Sequence, residues 1–329
     1  MIKITLLLVA GAFLACGLSA APAQAGPNRT FVSGHGTDSG PCTRAAPCRT
    51  FAFALTQTAA GGEIDVLDPA AYGPVTITKS ISIVNDGVGT AGIRPNFSVG
   101  NEGVTIKAGA GDSIHLRGLT IEGGSFSLGS GIVFLSGGNL AIENCVIRDF
   151  MNTGIAIEPS TSSSFSVSNT IVSGALNSPD AGTDGSGIFV SASGSAVVNG
   201  VLSKVTAHNN TGGILVGSAG GSVNVTVVDS VASNNTGVGK FGEKIGVGIG
   251  AIGAAAAVLV MVRNSVASNN DTGLVATGAN ATLRVAHSVV TGNSTGVSTA
   301  GGTILSYVDN DIDGNTNNNT GVLTVISTH

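Results

Sequence analysis

Three aspartates near the end of the sequence have the spacing of a calcium-binding loop. Asp309, Asp311 and Asp313 alternate along the chain and are followed by Gly314. Alternate side chains of a strand point to one side, and Asp-x-Asp-x-Asp-Gly also begins a calcium loop. An EF-hand loop has Glu at its twelfth position, where this chain has Thr320. The segment therefore predicts Ca²⁺ as a cofactor, and the alternative is a solvated corner that binds no metal.

The sequence repeats with a period of about 24 residues, and two insertions in this repeat contain the other candidate ligand-binding residues. They cover residues 174–186 and 237–247. Their candidate ligand-binding residues are Asp180, Asp184, Lys240, Phe241 and Lys244. Insertions in repeat proteins often lie on the binding face. We therefore expect a binding surface there, and the alternative is a pair of surface loops without a ligand.

A repeat must position these residues. Each unit begins with Gly and continues with alternating apolar residues, and the units begin at Gly131, Gly154, Gly187, Gly213, Gly248, Gly273, Gly296 and Gly321. Most spacings are 23 to 26 residues, and the two long ones contain the insertions. Alternation with a period of two excludes a helical repeat. The sequence therefore predicts a β-solenoid in which each turn of two or three strands pairs with the next.

The corners of this solenoid are predicted from its Gly and Asn residues, which tolerate tight turns and left-handed backbone. The column Asn144, Asn169, Asp229, Asn264 and His287 is interpreted as a corner ladder and not as a site. His208 occupies a position that holds Ser in other units. The sequon Asn224-Val225-Thr226 is attributed to turn chemistry.

These residues resemble the right-handed parallel β-helix superfamily, which includes pectate lyases and polygalacturonases. The resemblance covers Val75 to Ile326 and implies an all-β chain, a single-stranded right-handed parallel β-helix of about ten rungs. A short helix over Pro47 to Ala60, ended by Gly61 and Gly62, would belong to an N-terminal cap. The opening segment is also similar to that of a group of secreted bacterial β-helix proteins. The resemblance implies polysaccharide lyase or glycoside hydrolase activity.

The sequence divides into three predicted segments. Residues 1–25 predict a signal peptide, residues 26–74 the cap, and residues 75–329 the β-helix. Cys16 leaves a lipoprotein as an alternative. Export permits a disulfide, which we expect between Cys42 and Cys48, whereas Cys145 lies in an apolar alternation and is expected to be a buried thiol. The protein is expected to be secreted, periplasmic or at the cell surface.

The motifs of the superfamily's enzymes are incomplete. Gly34-His35-Gly36 matches an element of polygalacturonases, but their paired carboxylates were not found, so the tripeptide is interpreted as a turn. No catalytic residue is assigned. Pectate lyases need several carboxylates that bind Ca²⁺ and a basic residue that abstracts a proton. The residues of this sequence that come nearest to such a set are His115, Arg117, Glu122, Glu143, Arg148, Asp149 and Glu158. If Leu116 aligns with Ile142, then Arg117 stacks on Glu143, which predicts an ion pair on the outer face.

Composition limits the possible partners. The chain has 329 residues, a formal net charge of −5 and 4% aromatic residues, so nothing indicates nucleic-acid binding. The uncharged run from Ile245 to Val262 is as long as a short membrane span, but it aligns with another repeat unit and is interpreted as a rung. No transmembrane segment is therefore expected in the mature chain. The leading hypothesis is a binding or structural protein that contacts a polysaccharide or cell-surface glycan, and the alternative is a lyase or hydrolase.

Overall fold

The protein is a coil of three parallel β-sheets, seen in a computed structural model that describes residues 26–95, 102–124, 129–176, 185–237 and 246–327. Sheet A has twelve strands, which are Arg29–Val32, Gly62–Val66, Ile81–Val84, Ser113–Arg117, Asn139–Glu143, Ser163–Ser168, Val197–Ser203, Ser222–Val228, Val258–Arg263, Ala281–Ala286, Thr303–Tyr307 and Leu323–Ile326. Sheet B has ten, which are Ala70–Ala71, Ala91–Ile93, Leu119–Glu122, Val146–Arg148, Ile171–Ser173, Thr206–His208, Val231–Ser233, Val266–Ser268, Val289–Thr291 and Asp311–Ile312. Sheet C has ten, which are Val75–Ile77, Val104–Lys107, Ile132–Ser136, Ile155–Ile157, Ser186–Val190, Gly212–Gly217, Val247–Ile252, Thr272–Thr277, Thr295–Ala300 and Asn317–Thr320.

Each turn of the coil passes through the three sheets in the order A, B, C. Ser222–Val228 is followed by Val231–Ser233 and then by Val247–Ile252, after which the chain re-enters sheet A. Every strand pairs in parallel with the equivalent strand of the next turn, as Val225 does with Val260. The predicted β-solenoid is confirmed, and ten strands in sheets B and C fit the expected ten rungs.

Alternation along the strands fills the interior of the coil. The strand Ser222–Val228 alternates between half-exposed and buried side chains, with Val223, Val225 and Val227 inside. Apolar residues stack in columns along the coil axis, and one column in sheet C consists of Ile188, Ile214, Ile249, Leu274 and Val297, all fully buried. One continuous apolar core results, because each rung covers the inner side chains of its neighbours.

The corner between sheets A and B has left-handed backbone, as expected from the column of polar residues. Asn144, Asn169, Asp229, Asn264 and His287 all have φ between 46° and 53°. The corner prediction is therefore confirmed. His208 also aligns with Ser173 and Ser233, the Ser positions of the neighbouring units.

The glycines that begin the units from Gly131 to Gly296 are needed for a different reason from the one expected. Gly321, predicted to begin the last unit, instead precedes the sheet A strand Leu323–Ile326 and has a φ of 132°. Gly213 and Gly248 are not among the residues with left-handed φ. A Cβ atom on Gly213 would lie 2.4 Å from the carbonyl oxygen of Gly248, and one on Gly248 would lie 2.6 Å from that of Gly273. These glycines are required because successive rungs approach each other closely there, whereas Asn and Asp supply much of the left-handed backbone.

The N-terminal segment packs against the first strands of the coil. Its helix spans Phe51–Gln57 and begins at Thr50, whose hydroxyl accepts the backbone N–H of Phe53 at 3.2 Å. The helix is shorter than the predicted Pro47 to Ala60, because extended backbone at Thr58 ends it before the glycines. Phe51, Ala54 and Leu55 form its buried face, as expected.

The disulfide between Cys42 and Cys48 is present, and Cys145 is a buried free thiol. The strands Arg29–Val32 and Gly62–Val66 of this segment join sheet A, so the stacking already begins here. The predicted signal peptide, residues 1–25, lies outside the described residues.

The apolar run near residue 250 is part of the coil. Val247–Ile252 and Val258–Arg263 are strands of sheets C and A, and Ile249 and Val260 pair with Ile214 and Val225, as predicted. In the part of the chain that the structure describes, no helix has the length and apolar character needed to cross a membrane.

Candidate functional site

The outer face of sheet A brings together most of the polar groups that could act on a ligand. Its outward side chains form columns because the parallel register is kept from strand to strand. One column runs through Glu63, Ser82, His115 and Ala141, and a neighbouring one through Asp65, Val84, Arg117 and Glu143. Residues that are distant in sequence therefore lie one or two rungs apart on one surface.

Two carboxylates lie side by side at the start of this face. Glu63 and Asp65 alternate in the strand Gly62–Val66, so both point outward. Arg29 contacts both, since its guanidinium hydrogen bonds to Glu63 and its Nε lies 3.1 Å from Asp65 Oδ2. The hydrogen bond from Arg29 lowers the pKa of Glu63. Burial and then the neighbouring Glu63 carboxylate raise the pKa of Asp65. One carboxylate is thus held ionised and its neighbour is biased toward the protonated form.

This pair corrects the expectation that paired carboxylates are missing. The signal was present in the sequence, because Glu63-Ile64-Asp65 has the alternation of a strand and places both acids on one side. The strand belongs to the predicted cap, and its pairing with Ile81–Val84 places it on the same face as the charges of the coil.

His115 and Arg117 lie further along the face, two rungs from the carboxylate pair. His115 Nε2 is 3.4 Å from Glu143 Oε2, and Arg117 Nη2 is 3.4 Å from Asp86 Oδ1. The predicted register is correct, since Leu116 pairs with Ile142 and Arg117 with Glu143. The predicted ion pair is wrong, because Glu143 reaches across to His115 and Arg117 turns to Asp86.

His115 is partly exposed, but one of its ring nitrogens is buried. Its side chain is 32% exposed, but Nε2 itself is shielded from solvent and has no aligned hydrogen bond within the described part of the chain. We call Arg29, Glu63, Asp65, Asp86, His115, Arg117 and Glu143 the acidic end of sheet A.

Most of the remaining charged residues of the predicted set lie on or beside sheet B. Glu122 pairs with Arg94 at 3.1 Å and with Arg148 at 3.0 Å, and Arg148 Nε is 3.9 Å from Asp149. Glu158 lies just past the sheet C strand Ile155–Ile157. The structure therefore divides the predicted set among three faces.

A shallow groove of about 470 Å³ follows the acidic end along sheet A. We call it the middle groove, and its outward lining residues are Ser164, Asn199, Val201, Asn224, Thr226, Leu259, Met261 and Arg284. Asn224 Nδ2 donates to Asn199 Oδ1 at 3.0 Å across one rung. Asn224 lies in the strand Ser222–Val228 and not in a turn, which corrects the interpretation of its sequon. The groove combines amides and hydroxyls with the exposed aliphatic side chains of Val201 and Leu259.

The aspartate triplet does not lie on one strand. Only Asp311 belongs to a strand, Asp311–Ile312, while Asp309 and Asp313 lie at the turns before and after it. Asp309 binds His287, accepting its backbone N–H at 2.9 Å and contacting Nε2 at 3.0 Å. Among the described residues, no cluster of three or more His, Cys, Asp or Glu side chains is arranged to bind a metal ion. Calcium binding by the triplet stays a prediction, which a Ca²⁺-dependent rise in melting temperature would test.

The Gly-His-Gly tripeptide of the N-terminal segment is a turn, as predicted. Gly34-His35-Gly36 forms a turn in which the backbone N–H of Gly34 donates to Asp68 Oδ1 at 2.6 Å. The five insertion residues Asp180, Asp184, Lys240, Phe241 and Lys244 lie outside the described residues.

Comparison with known proteins agrees with this architecture. Residues 78–232 match the sequence profile of the right-handed β-helix region. The structure of pectate lyase Pel9A superposes with a TM-score of 0.61 at 17% identity, covering 93% of this chain and 78% of that one. The chain is a right-handed parallel β-helix of the pectin-lyase-like fold.

A second solved structure resembles the β-helix. Alginate lyase from Paenibacillus sp. str. FPU-7 gives a TM-score of 0.54 at 15% identity and covers 92% of this chain and 98% of that one. No protein of curated function matches the sequence. At these identities the likeness concerns the fold, and function must be argued from the faces of the β-helix.

Proposed function

We propose that the protein is an exported binding or structural β-helix that holds a glycan chain along the middle groove of sheet A. The observation that carries this proposal is the chemistry of the groove. Its described lining residues offer amides and hydroxyls for sugar hydroxyl groups and aliphatic side chains for sugar rings, and they include no carboxylate. Such a lining binds a sugar chain but lacks the acid and base that cleavage needs.

The geometry of the face suits a polymer. The rungs repeat at about 4.8 Å, so similar groups recur at regular intervals along the coil axis. Two solved structures that share the fold are named as a pectate lyase and an alginate lyase, which are enzymes acting on polysaccharides. These names favour a glycan over other polymers as the ligand.

Export is part of the proposal. The sequence predicts a signal peptide over residues 1–25, and the Cys42–Cys48 disulfide suits an oxidising compartment. Mass spectrometry of the protein recovered from its native cells should show an N-terminus near Gly26. A chain that retains Met1 and stays in the cytoplasm would contradict export.

Binding is tested with a panel of neutral and acidic polysaccharides immobilised on an array. We expect at least one to bind the wild type and to lose about tenfold in affinity with Asn199→Ala or Asn224→Ala, because each removes an exposed hydrogen-bonding amide. Ser233→Ala on sheet B is the matched control and should bind normally. Equal binding by all four proteins would place the ligand elsewhere and refute the groove as its site.

A second candidate function, cleavage of the glycan, is favoured by the acidic end. The raised pKa of Asp65 suits a general acid, and the ionised Glu63 beside it suits a base or a charge stabiliser. The test measures unsaturated products and reducing ends on the same panel, with and without Ca²⁺. This candidate is supported if the wild type cleaves a polysaccharide, Asp65→Asn has no cleavage activity, and Asn199→Ala still has measurable activity. A panel that yields no product, or product unchanged by Asp65→Asn, would reject it for the acidic end.

A further inference from the structure

Charge is segregated along the outer face of sheet A. The acidic end holds four carboxylates and two guanidinium groups, a net charge of −2 with His115 neutral. The three following strands, Ser163–Ser168, Val197–Ser203 and Ser222–Val228, contain no charged residue. Arg263 and Arg284 follow on the next two strands. The strands of this face therefore run from negative through uncharged to positive along one direction, and the corner beside the uncharged strands carries one cation, Lys204, and one anion, Asp229.

The cations of the acidic end are already paired. Arg29 contacts Glu63 and Asp65, and Arg117 contacts Asp86. An incoming carboxylate would have to displace one of these partners, and it would meet the field of the surplus negative charge. At an ionic strength of about 0.01 M that field extends over about 30 Å.

The uncharged strands disfavour a carboxylate for another reason. They extend for about 14 Å along the coil axis, at about 4.8 Å per strand. A carboxylate bound over Val201 would lose water without gaining a cation, which is unfavourable for a charged group. A neutral sugar loses less there, because its hydroxyl groups can exchange water for the amides of Asn199 and Asn224.

Arg284 differs from the arginines of the acidic end. It lines the groove at the end away from the acidic residues, one rung after Met261. Within the described residues it forms no ion pair, so its planar guanidinium is available for one acidic group of a ligand. Arg263, on the preceding strand, also forms no ion pair among the described residues, but it does not line the groove. Arg284 is therefore the cation that the groove itself offers to a negative charge, and a neutral stretch follows it.

We propose that the ligand is a sparsely acidic glycan, bound with one carboxylate at Arg284 and neutral sugars over the three uncharged strands, and not a polymer with an acid on every sugar. This proposal rests on the proposed function, since it specifies the ligand of the same groove. It assigns Arg284 as the residue that determines which sugar of the chain occupies the end of the groove.

The test uses one polymer in three forms that differ only in charge. Polygalacturonate is prepared fully methyl-esterified, sparsely de-esterified and fully de-esterified, and binding is measured at low salt. We expect the sparsely de-esterified form to bind about tenfold more tightly than the fully esterified one, and the fully de-esterified form to bind most weakly.

Two variants distinguish the role of Arg284 from that of the uncharged strands. Arg284→Ala should remove the advantage of the sparsely de-esterified form, so that this form and the fully esterified form bind the variant with equal affinity. Asn224→Ala should weaken both. Affinity that rises steadily with acid content would overturn the sparsely acidic ligand while leaving glycan binding intact. Failure of all three forms to bind would overturn the ligand proposed here, and failure of the wider panel as well would overturn glycan binding.

Discussion

Asn235 and Asn270 are joined by two hydrogen bonds inside one corner of the coil. Asn270 Oδ1 accepts the side-chain N–H of Asn235 at 2.9 Å and its backbone N–H at 3.0 Å. Asn270 in turn donates to Asn293 Oδ1 at 3.0 Å and to the carbonyl oxygen of Ala232 at 3.0 Å. Both asparagines are buried, so this ladder satisfies backbone and amide groups that water cannot reach.

Substituting Asn270 should therefore destabilise the fold. Asn270→Ala removes the acceptor of the Asn235 backbone N–H and of one side-chain N–H, while Asn235 Nδ2 keeps its bond to the carbonyl oxygen of Ala207. We expect a loss of about 3 kcal/mol in the free energy of unfolding. The matched control is Asn224→Ala, whose amide lies in the exposed Asn199–Asn224 pair and should cost less than about 0.5 kcal/mol. Urea denaturation measures both. Equal losses would show that burial does not determine the strength of the ladder.

The glycines at the starts of the units give a second prediction. Gly248→Ala would place Cβ 2.6 Å from the carbonyl oxygen of Gly273 and 2.8 Å from Asn270 Nδ2. Overpacking of this kind costs about 1 to 3 kcal/mol. Gly111→Ala is the control, because its Cβ would have no atom within 4 Å and its φ is not left-handed. The prediction fails if both variants have the melting temperature of the wild type.

Much of the fold could be predicted because a solenoid repeats its local rules. The same corner chemistry recurs at Asn144, Asn169 and Asn264, so a spacing in the sequence translates directly into a column in space. The pairing of Ile214 with Ile249 follows from that spacing alone.

The side-chain partners could not be predicted in the same way. Register placed Arg117 beside Glu143, but a long side chain reaches diagonal neighbours as well as the one directly opposite. Glu143 therefore contacts His115, and Arg117 contacts Asp86. The repeat supplies no register for Glu63 and Asp65, because its units begin at Gly131 and the strand Gly62–Val66 precedes them. The structure shows that this strand continues sheet A.

The disulfide gives a third prediction. It closes a loop with a sequence separation of 6 residues, for which the loss of chain entropy corresponds to about 2 kcal/mol. The double variant Cys42→Ser and Cys48→Ser should melt at a lower temperature, and reducing the wild type should give the same decrease. Because the variant has no bond to reduce, added reductant should leave its melting temperature unchanged. A wild type that melts identically in both redox states would contradict the stabilising role.

The last prediction concerns acid. Asp112 accepts the hydroxyl of Ser80 at 2.6 Å, the backbone N–H of Gly109 at 2.7 Å and that of Ser80 at 3.1 Å. The hydrogen bond from the Ser80 hydroxyl, followed by that from Gly109, lowers the pKa of Asp112. Because the folded-state pKa is below the unfolded value of about 3.9, this carboxylate stabilises the fold fully above that pH. The contribution is lost as the pH falls through the folded-state pKa.

Asp112→Asn should therefore lower the free energy of unfolding at neutral pH, and its difference from the wild type should shrink as the pH falls below about 4. Urea denaturation at a series of pH values measures this difference. Ser80→Ala is the companion variant, because it removes the hydroxyl that lowers the pKa most and should reduce the same pH-dependent difference. A difference between Asp112→Asn and the wild type that stays constant down to strongly acidic pH would show that the ionised carboxylate is not what stabilises this turn.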